Sequence, residues 1–286
     1  MADYEQAPSL RTWEASLGRF LPEFVSGHPV LVEFKGQMAV ILHGSTTMGI
    51  DDPFSDLDLW LLLSAASLTE FDRQSPTRFV SFELNGKKGH LNVTSADAFA
   101  DRVARCDLDT IYQLRRAAIL ADDLGVAHRL QQWSRQPMRP EVRDALFFWH
   151  YTEMRGEHRA CDNPMQRVDA TALLFFLTKT MGHALRASMV LDGEPCPYDK
   201  WLYRVARQTP TGAQVAPSID RIMDLLGQGQ LRFPGGEASH PIGQELRVVR
   251  QTLIDAANAR GIHELWLEKW WRFMDQARAA IDNVRW

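Results

Sequence analysis

Two aspartates one residue apart, Asp56 and Asp58, stand at the start of an apolar run that ends at Leu63. Side chains at positions i and i+2 of a β-strand point to the same face, so both carboxylates are expected on one face and Leu57 and Leu59 on the other. Mg²⁺ is commonly bound by one or two carboxylates together with water and substrate phosphates. A charged pair at the entrance of a buried strand is costly unless something binds it. The spacing therefore predicts a metal site.

A second group of residues follows an earlier apolar run, 38–42, and is suited to binding an anion. Gly44 allows a ligand to approach the backbone closely. Ser45 and Thr46 offer hydroxyl and N–H groups to a phosphate. Glycine, hydroxyls and paired acids together predict a polyphosphate held through a metal ion. The alternative is a plain surface turn, since Asp51-Asp52-Pro53 is a turn sequence in any case.

The pair Gly44-Ser45, followed ten residues after the serine by Ser55-Asp56-Leu57-Asp58, lies between two strand-like runs. This pattern resembles the signature of the nucleotidyltransferase superfamily with the DNA polymerase β-like fold. The resemblance is to its small bacterial members, which include the antibiotic adenylyltransferases, and it extends over about residues 35 to 130.

The resemblance implies roles for individual residues. Gly44 and Ser45 would hold the phosphates of ATP or another nucleoside triphosphate, with Thr46 and Ser55 beside them. Asp56 and Asp58 would bind two Mg²⁺ ions. A third acid would complete the site from a neighbouring strand.

The third acid is not evident. The sequence predicts a strand over 78–84, a tight turn, and a returning strand over 90–94 in which His90 and Asn92 share the face expected to carry the acid. Glu83 on the partner strand is the nearest carboxylate, but its face depends on the hairpin register. Three interpretations stay open: Glu83 supplies the charge, His90 acts as base or ligand, or catalysis is weakened. His90 as an ordinary half-buried strand residue is the structural alternative.

Composition limits the classes of protein. A length of 286 residues with 45% hydrophobic residues predicts one large or two ordinary domains with well-formed cores. No apolar run approaches the roughly 20 residues of a membrane span, and the first residues lack the pattern of a secretory signal. Three widely spaced cysteines predict neither disulfides nor zinc. We therefore expect a cytoplasmic protein without membrane contact.

The net charge of −4 bears on the partner. Proteins that bind long nucleic acids usually present a basic face, and the arginine-containing stretches here are mixed with acids and apolar residues. A small-molecule acceptor is thus favoured, a protein partner stays open, and nucleic acid is disfavoured. The sequence does not determine the oligomeric state.

Sheet-forming segments precede helical ones, which predicts an α+β fold. Residues 1–136 are expected to form a nucleotidyltransferase catalytic domain with a mixed sheet and flanking helices, and residues 137–286 an all-α helical bundle. Pro137 and Pro140 mark the boundary. In the first domain the pattern predicts a helix that Ser9 caps and Pro22 kinks or ends, then these strands and helices: strands 30–34, 38–42, 57–63, 78–84 and 90–94, helices 95–106 and 109–114, edge strand 117–120, helix 125–133.

In the second domain, six helices are predicted, with breaker residues such as 161–164 between them: 141–159, 168–191, 198–207, 216–226, 242–260 and 262–284. The resemblance implies that such a helical second domain supplies the other wall of the site, because in relatives of this build the acceptor and the base lie between the domains. Lys200 could neutralise a triphosphate, and Tyr198 or Trp201 could stack on a base. Their alternative role is ordinary packing and a solvated lysine.

These inferences predict a Mg²⁺-dependent nucleotidyltransferase that moves a nucleoside monophosphate, expected to be AMP from ATP, to a hydroxyl of a small acceptor and releases pyrophosphate. Two alternatives stay open. One is a nucleotide-binding or regulatory protein with a degenerate catalytic site. The other is a transferase that modifies a protein or RNA partner, as the antitoxin-like enzymes that adenylylate a protein do.

Overall fold

The computed structural model describes residues 10–286, which form two compact units, the first ending at Gln136 and the second beginning at Pro137. The first unit contains, in chain order, the following helices and strands: α1 (Leu10–Gly27), a 3₁₀ helix (Leu31–Phe34), β1 (Met38–His43), α2 (Ser45–Met48), β2 (Leu57–Leu63), α3 (Ala65–Gln74), β3 (Phe79–Leu84), β4 (Lys87–Ser95), α4 (Ala96–Ala104), α5 (Leu108–Arg116), β5 (Ala118–Asp122) and α6 (Val126–Ser134).

The five strands make one mixed sheet in the order β3-β4-β2-β1-β5. β2 pairs antiparallel with β1 and parallel with β4, while β3 pairs antiparallel with β4 and β5 antiparallel with β1. β2 is therefore the central strand. The predicted α+β class is confirmed by this mixed sheet and the helices around it.

One face of the sheet forms the main core of the first unit. The alternate leucines of β2 are completely buried there and pack with the apolar stripe of α1, as the spacing along both elements requires. The principal members of this core are Trp13, Leu17, Leu21, Val25, Leu31, Phe34, Leu57, Leu59, Leu61, Leu63, Phe71, Leu91 and Val93. Burial of this face fixes which side chains of β2 point the other way.

The second unit is helical throughout, and no strand occurs in residues 137–286. Its helices are α7 (Pro140–Ala160), α8 (Asp162–Arg167), α9 (Ala170–Leu191), α10 (Asp199–Ala206), α11 (Pro210–Gly227), a 3₁₀ helix (Gln230–Arg232), α12 (Pro241–Asn258), α13 (Trp266–Lys269), a 3₁₀ helix (Trp270–Arg272) and α14 (Met274–Asn283).

The prediction of a strand over 30–34 is wrong, because Leu31–Phe34 is a 3₁₀ helix. His28 Nδ1 accepts hydrogen bonds from the backbone N–H groups of Val30 (3.3 Å) and Leu31 (3.2 Å), which turns the chain. Leu31 and Phe34, three residues apart, then both point into the core. That spacing belongs to a helical turn and not to a strand.

The prediction of one helix over 262–284 is also wrong. The segment divides into α13, a 3₁₀ turn and α14. The hydroxyl of buried Tyr151 donates a 2.6 Å hydrogen bond to the carbonyl of Leu267, which holds the chain at the break. Trp266 and Trp270 are both buried there, and the rings of Trp270 and Trp271 are nearly perpendicular. Tertiary packing of tryptophans thus overrides the helical pattern.

Smaller corrections concern helix boundaries. Residues 161–164 were expected to separate helices, but α8 begins at Asp162 and has Pro164 in its first turn, where proline is tolerated. Pro22 lies within α1, which continues to Gly27. The predicted cap Ser9 lies outside the described residues. Ser95 caps α4 as predicted, accepting from the N–H of Ala98.

No helix of residues 10–286 has both the length and the apolar character needed to cross a bilayer. Cys106, Cys161 and Cys196 are all buried and free of disulfides.

Candidate active site

Asp58 lies in the middle of a row of three polar side chains across the sheet. In the ladder of β1 and β2 its partner is His43, and in the ladder of β2 and β4 its partner is His90. Residues paired across neighbouring strands share a face. The row is therefore histidine, aspartate, histidine, on the face opposite the leucine core.

Gly44 brings the end of β1 against the carboxylate of Asp58. It has φ of 82°, a left-handed conformation that favours glycine. A Cβ atom at Gly44 would lie 2.8 Å from Oδ2 of Asp58 and 3.3 Å from its Cβ. No other residue fits without moving Asp58, so the predicted metal ligand and the predicted phosphate-binding turn are in direct contact.

Ser45 and Thr46 follow in the short helix α2, and both are buried. The hydroxyl of Thr47 donates to the carbonyl of Gly44 at 3.0 Å, which stabilises the turn. Oγ1 of Thr46 is buried and has no hydrogen-bond partner among residues 10–286. A buried hydroxyl without a partner costs about 1–3 kcal/mol. A bound phosphate oxygen would remove that cost.

Asp56 lies just before β2, and its side chain is 47% exposed. Its Oδ2 is 3.1 Å from Nε2 of His90. The other ring nitrogen of His90 is 3.5 Å from the hydroxyl of Ser81, and the ring stacks on Phe79 at 4.4 Å between centroids. His90 is thus the residue of the neighbouring strand that reaches the aspartate pair.

Glu83 does not reach that pair. It is opposite Lys88 in the hairpin while Ser81 is opposite His90, so Glu83 shares the face of His90 but lies farther along the sheet. It is exposed, and two strand spacings separate its backbone from β2, roughly 10 Å. Of the two candidates for the third acid position, the structure brings His90 to the aspartates and leaves Glu83 apart from them.

Ser55 supports the loop between α2 and β2. Its hydroxyl donates to Oδ1 of Asp52 at 2.8 Å and accepts from the N–H of Asp52 at 3.0 Å. A largely buried ion pair of 3.2 Å between Asp51 and Lys87 attaches the loop to the start of β4. The predicted turn at 51–53 is present, and the hydroxyl predicted to bind phosphate is bonded within this turn.

His43 was not singled out by its sequence, yet it borders Asp58. The amide nitrogen of glutamine is a donor. Nε2 of Gln113 donates to Oδ1 of Asp109 at 2.7 Å, which leaves Oε1 of Gln113 to face His43. Nδ1 of His43 therefore carries the proton and donates to this oxygen at 2.5 Å. The imidazole stacks on Trp60 at 3.7 Å between centroids.

This arrangement leaves Nε2 of His43 as an acceptor, buried and without a partner among residues 10–286. Burial lowers the pKa of His43 to about 4, and the charge of Arg102 acts in the same direction. The ring is therefore neutral at neutral pH. The signal that could have revealed His43 is its place one residue before Gly44, but only the β1–β2 register shows that it faces Asp58.

Asp56 and Asp58 are the carboxylates of the site that could bind Mg²⁺. Within residues 10–286 no group of three or more His, Cys, Asp and Glu side chains is arranged around a common metal position. Asp56 and Asp58 nevertheless supply the one or two carboxylates that Mg²⁺ uses when phosphates and water complete its shell. The Gly44 turn beside Asp58 and the unsatisfied hydroxyl of Thr46 fit a phosphate next to such an ion.

Lys200 lies near the start of α10 in the second unit, with Nζ 4.8 Å from the ring centroid of Trp201. Tyr198 is exposed. A cation over an aromatic ring is a local packing contact. The predicted role of these residues in the wall facing the aspartates stays a prediction.

No protein-family model matches the sequence, and no curated protein matches it. Among solved structures, a nucleotidyltransferase-like protein from Exiguobacterium sibiricum 255-15 aligns over 93% of this chain and 80% of its own, at 10% identity and a TM-score of 0.47. A CCA-adding enzyme in complex with CTP aligns over 92% of this chain and 74% of its own, at 14% identity and a TM-score of 0.24. At such scores, the geometry of the Asp58 row is the stronger guide to function.

Proposed function

We propose that this protein is a Mg²⁺-dependent nucleotidyltransferase that transfers a nucleoside monophosphate, AMP from ATP, to a hydroxyl of a small-molecule acceptor and releases pyrophosphate. The observation that carries the proposal is the contact between Gly44 and Asp58. Gly44 has a left-handed backbone and no side chain, and for that reason the carboxylate of Asp58 fits beside it. Stabilising packing does not require a carboxylate in that position.

In this proposal Asp56 and Asp58 hold Mg²⁺, and Ser45, Thr46 and the Gly44 backbone contact the phosphates. When bound, Mg²⁺ offsets negative charge on the phosphate oxygens during the transfer. The chain's own residues orient the triphosphate so that the acceptor oxygen can attack the α-phosphorus in line. The new O–P bond forms as the bond to the β-phosphate oxygen breaks, and pyrophosphate departs with that oxygen.

The acceptor hydroxyl must lose a proton in the transfer. We assign the role of proton acceptor to His90, because it is the side chain of the neighbouring strand that contacts Asp56. An imidazole is an effective proton acceptor near neutral pH. His43 stays outside this step, since its ring is buried and stacks on Trp60.

A degenerate nucleotide-binding protein is the second candidate function. It is favoured by one observation: the strand position opposite Asp58 carries His90 and not a carboxylate. Such a protein would bind ATP with Mg²⁺ and transfer slowly or not at all. A small-molecule acceptor and a cytoplasmic location belong to the same proposal. The net charge of −4 supports the first, and three buried cysteines without disulfides support the second.

Isothermal titration calorimetry of ATP, CTP, GTP and UTP, with and without Mg²⁺, tests the nucleotide site. The wild type is compared with the double variant Asp56→Asn/Asp58→Asn, which preserves side-chain size. We expect Mg²⁺-dependent binding of ATP by the wild type and its loss in the double variant. If no nucleotide binds to the folded wild type, the proposal fails. Binding without turnover, over a range of hydroxyl acceptors, would instead select the degenerate protein.

A further inference from the structure

A cavity of about 590 Å³ opens in the second unit, where α9, α10 and α11 meet. Its volume is within the range of about 300–1,000 Å³ that is typical of small-molecule sites. None of its lining residues takes part in the nucleotide site proposed above. The cavity therefore needs an explanation of its own.

The lining is mainly apolar. Three of its apolar side chains, Leu185, Leu202 and Ile219, are nearly completely buried and form the inner wall. Met181 and Met223 also line the cavity, and Met223 is 53% exposed. Methionine side chains adapt their shape to different apolar surfaces. An apolar body can thus be enclosed here without a rigid match.

Gly182 contributes space to the same wall. A glycine inside a helix costs about 1 kcal/mol relative to alanine, and this one lies well inside α9. A Cβ atom at Gly182 would come within 3.1 Å of Nη1 of Arg186. The missing side chain lets the guanidinium of Arg186 lie along the helix, beside the cavity.

The charged groups around the cavity are already paired with one another. Arg186 forms an ion pair with Asp199, and the hydroxyl of Tyr203 donates to Asp220. Lys179 forms an ion pair of 3.3 Å with Glu157. A charged ligand would have to compete with one of these partners, whereas an uncharged ligand leaves all of them in place.

His183 is the polar side chain that an uncharged ligand can use. Its Nδ1 is 3.2 Å from Nδ1 of His150, so one ring donates and the other accepts. Burial and the charges of Arg186 and Lys179 lower the pKa of His183 to about 4, and the ring is neutral at neutral pH. Nε2 is then its remaining hydrogen-bonding atom.

We propose that this cavity binds an uncharged small molecule with an apolar body and one hydrogen-bonding group, which contacts His183. The apolar wall provides the affinity and the paired charges at the rim exclude ions. The site goes beyond nucleotide transfer and does not depend on it.

The probe for the test is N-phenyl-1-naphthylamine, a neutral aromatic amine whose fluorescence rises in apolar surroundings. Titration of the full chain is expected to show saturable binding of one probe per chain. Met223→Trp, which fills the mouth of the cavity, should weaken binding at least about tenfold, or about 1.4 kcal/mol. Met274→Trp is the matched control, since Met274 is 43% exposed and lies outside the cavity.

A second variant that fills the cavity, Gly182→Met, should weaken probe binding as Met223→Trp does. It shows that the effect of Met223→Trp is not a local defect at that position. Thermal unfolding shows that each variant is folded. The proposal is overturned if the wild type binds no probe saturably, or if both filling variants bind as well as the wild type. Tighter binding of the anion 8-anilinonaphthalene-1-sulfonate at this cavity would overturn the uncharged class of ligand.

Discussion

The two faces of β2 differ at Asp58 and Leu59. Leu59 points into the core and is completely buried, while its neighbour Asp58 points the other way, between His43 and His90. The leucine face is explained by packing with α1. The position of Asp58 on the other face is not explained by packing, because a carboxylate beside a glycine turn contributes nothing to an apolar core. Of these two adjacent residues, Leu59 thus contributes to stability and Asp58 to the proposed function.

The largest effect is expected from Asp58→Asn, which keeps the size of the side chain and removes its charge. Because Asp58 is a proposed metal ligand, Mg²⁺-dependent affinity for ATP should fall by roughly 100-fold, about 2.7 kcal/mol, and transfer should become undetectable. The midpoint of urea unfolding should change little. Calorimetric titration measures the affinity and urea denaturation the stability. An affinity within threefold of the wild type would show that Asp58 is not a metal ligand.

Leu59→Ala is the matching change on the opposite face. Removing a completely buried leucine side chain should lower the free energy of unfolding by about 2–5 kcal/mol. ATP affinity, measured at a temperature where the variant is folded, should stay near that of the wild type. Urea denaturation and calorimetry again provide the measurements. A large loss of affinity with little loss of stability would show that the two faces are not separable.

Gly44→Ala affects both properties. The left-handed backbone should cost roughly 1–2 kcal/mol for a residue with a Cβ atom, and that atom would displace the Asp58 carboxylate. We expect ATP affinity to fall about tenfold, equal to about 1.4 kcal/mol. Gly86→Ala is the control, since Gly86 also has positive φ but no atom within 4 Å of an added Cβ. It should lose stability and keep its affinity.

His90→Asp places a carboxylate opposite Asp58 and tests whether this position faces the metal. Additional ligand charge increases the affinity of an oxygen site for a divalent cation. The Mg²⁺ concentration needed for half-maximal ATP binding should therefore fall, by about threefold to tenfold or roughly 0.7–1.4 kcal/mol. Mg²⁺ titration at fixed ATP tests this, with His90→Asn as the uncharged control. An unchanged Mg²⁺ requirement would mean that this position does not face the metal.

The smallest effect is expected from Glu83→Gln. Glu83 is exposed and separated from Asp58 by the width of β4, and exposed charges contribute little across such distances. ATP affinity and transfer rate should stay within about twofold of the wild type. A loss comparable to that of Asp58→Asn would restore Glu83 as the third acid.

Local patterns predicted many of the elements. The alternation in β2 and the Ser95 cap of α4 each depend on neighbours in sequence, and the structure has them at those places. The prediction of a strand over 30–34 is wrong because His28 accepts two backbone hydrogen bonds and turns the chain there. The prediction of one helix over 262–284 is wrong because Tyr151, which is far away in sequence, donates a hydrogen bond to the carbonyl of Leu267.

The candidate site was only partly predictable for a related reason. The glycine, the hydroxyls and both aspartates follow from residue types and spacing. The face and the distance of Glu83 depend on the hairpin register, and the turn at Asn85-Gly86 is shorter than the five residues expected. The position of His43 beside Asp58 depends on the pairing of β1 with β2. Strand register is a tertiary property that spacing alone does not determine.

We propose that Asp56 and Asp58 hold a divalent ion together with a nucleotide. Electron paramagnetic resonance of Mn²⁺, used in place of Mg²⁺ and titrated with the non-transferable analogue α,β-methylene-ATP, tests it most directly. We expect the wild type to retain Mn²⁺ when the analogue is present and Asp56→Asn/Asp58→Asn to lose it. Equal retention of Mn²⁺ by both proteins, or no effect of the analogue on the wild type, would contradict it.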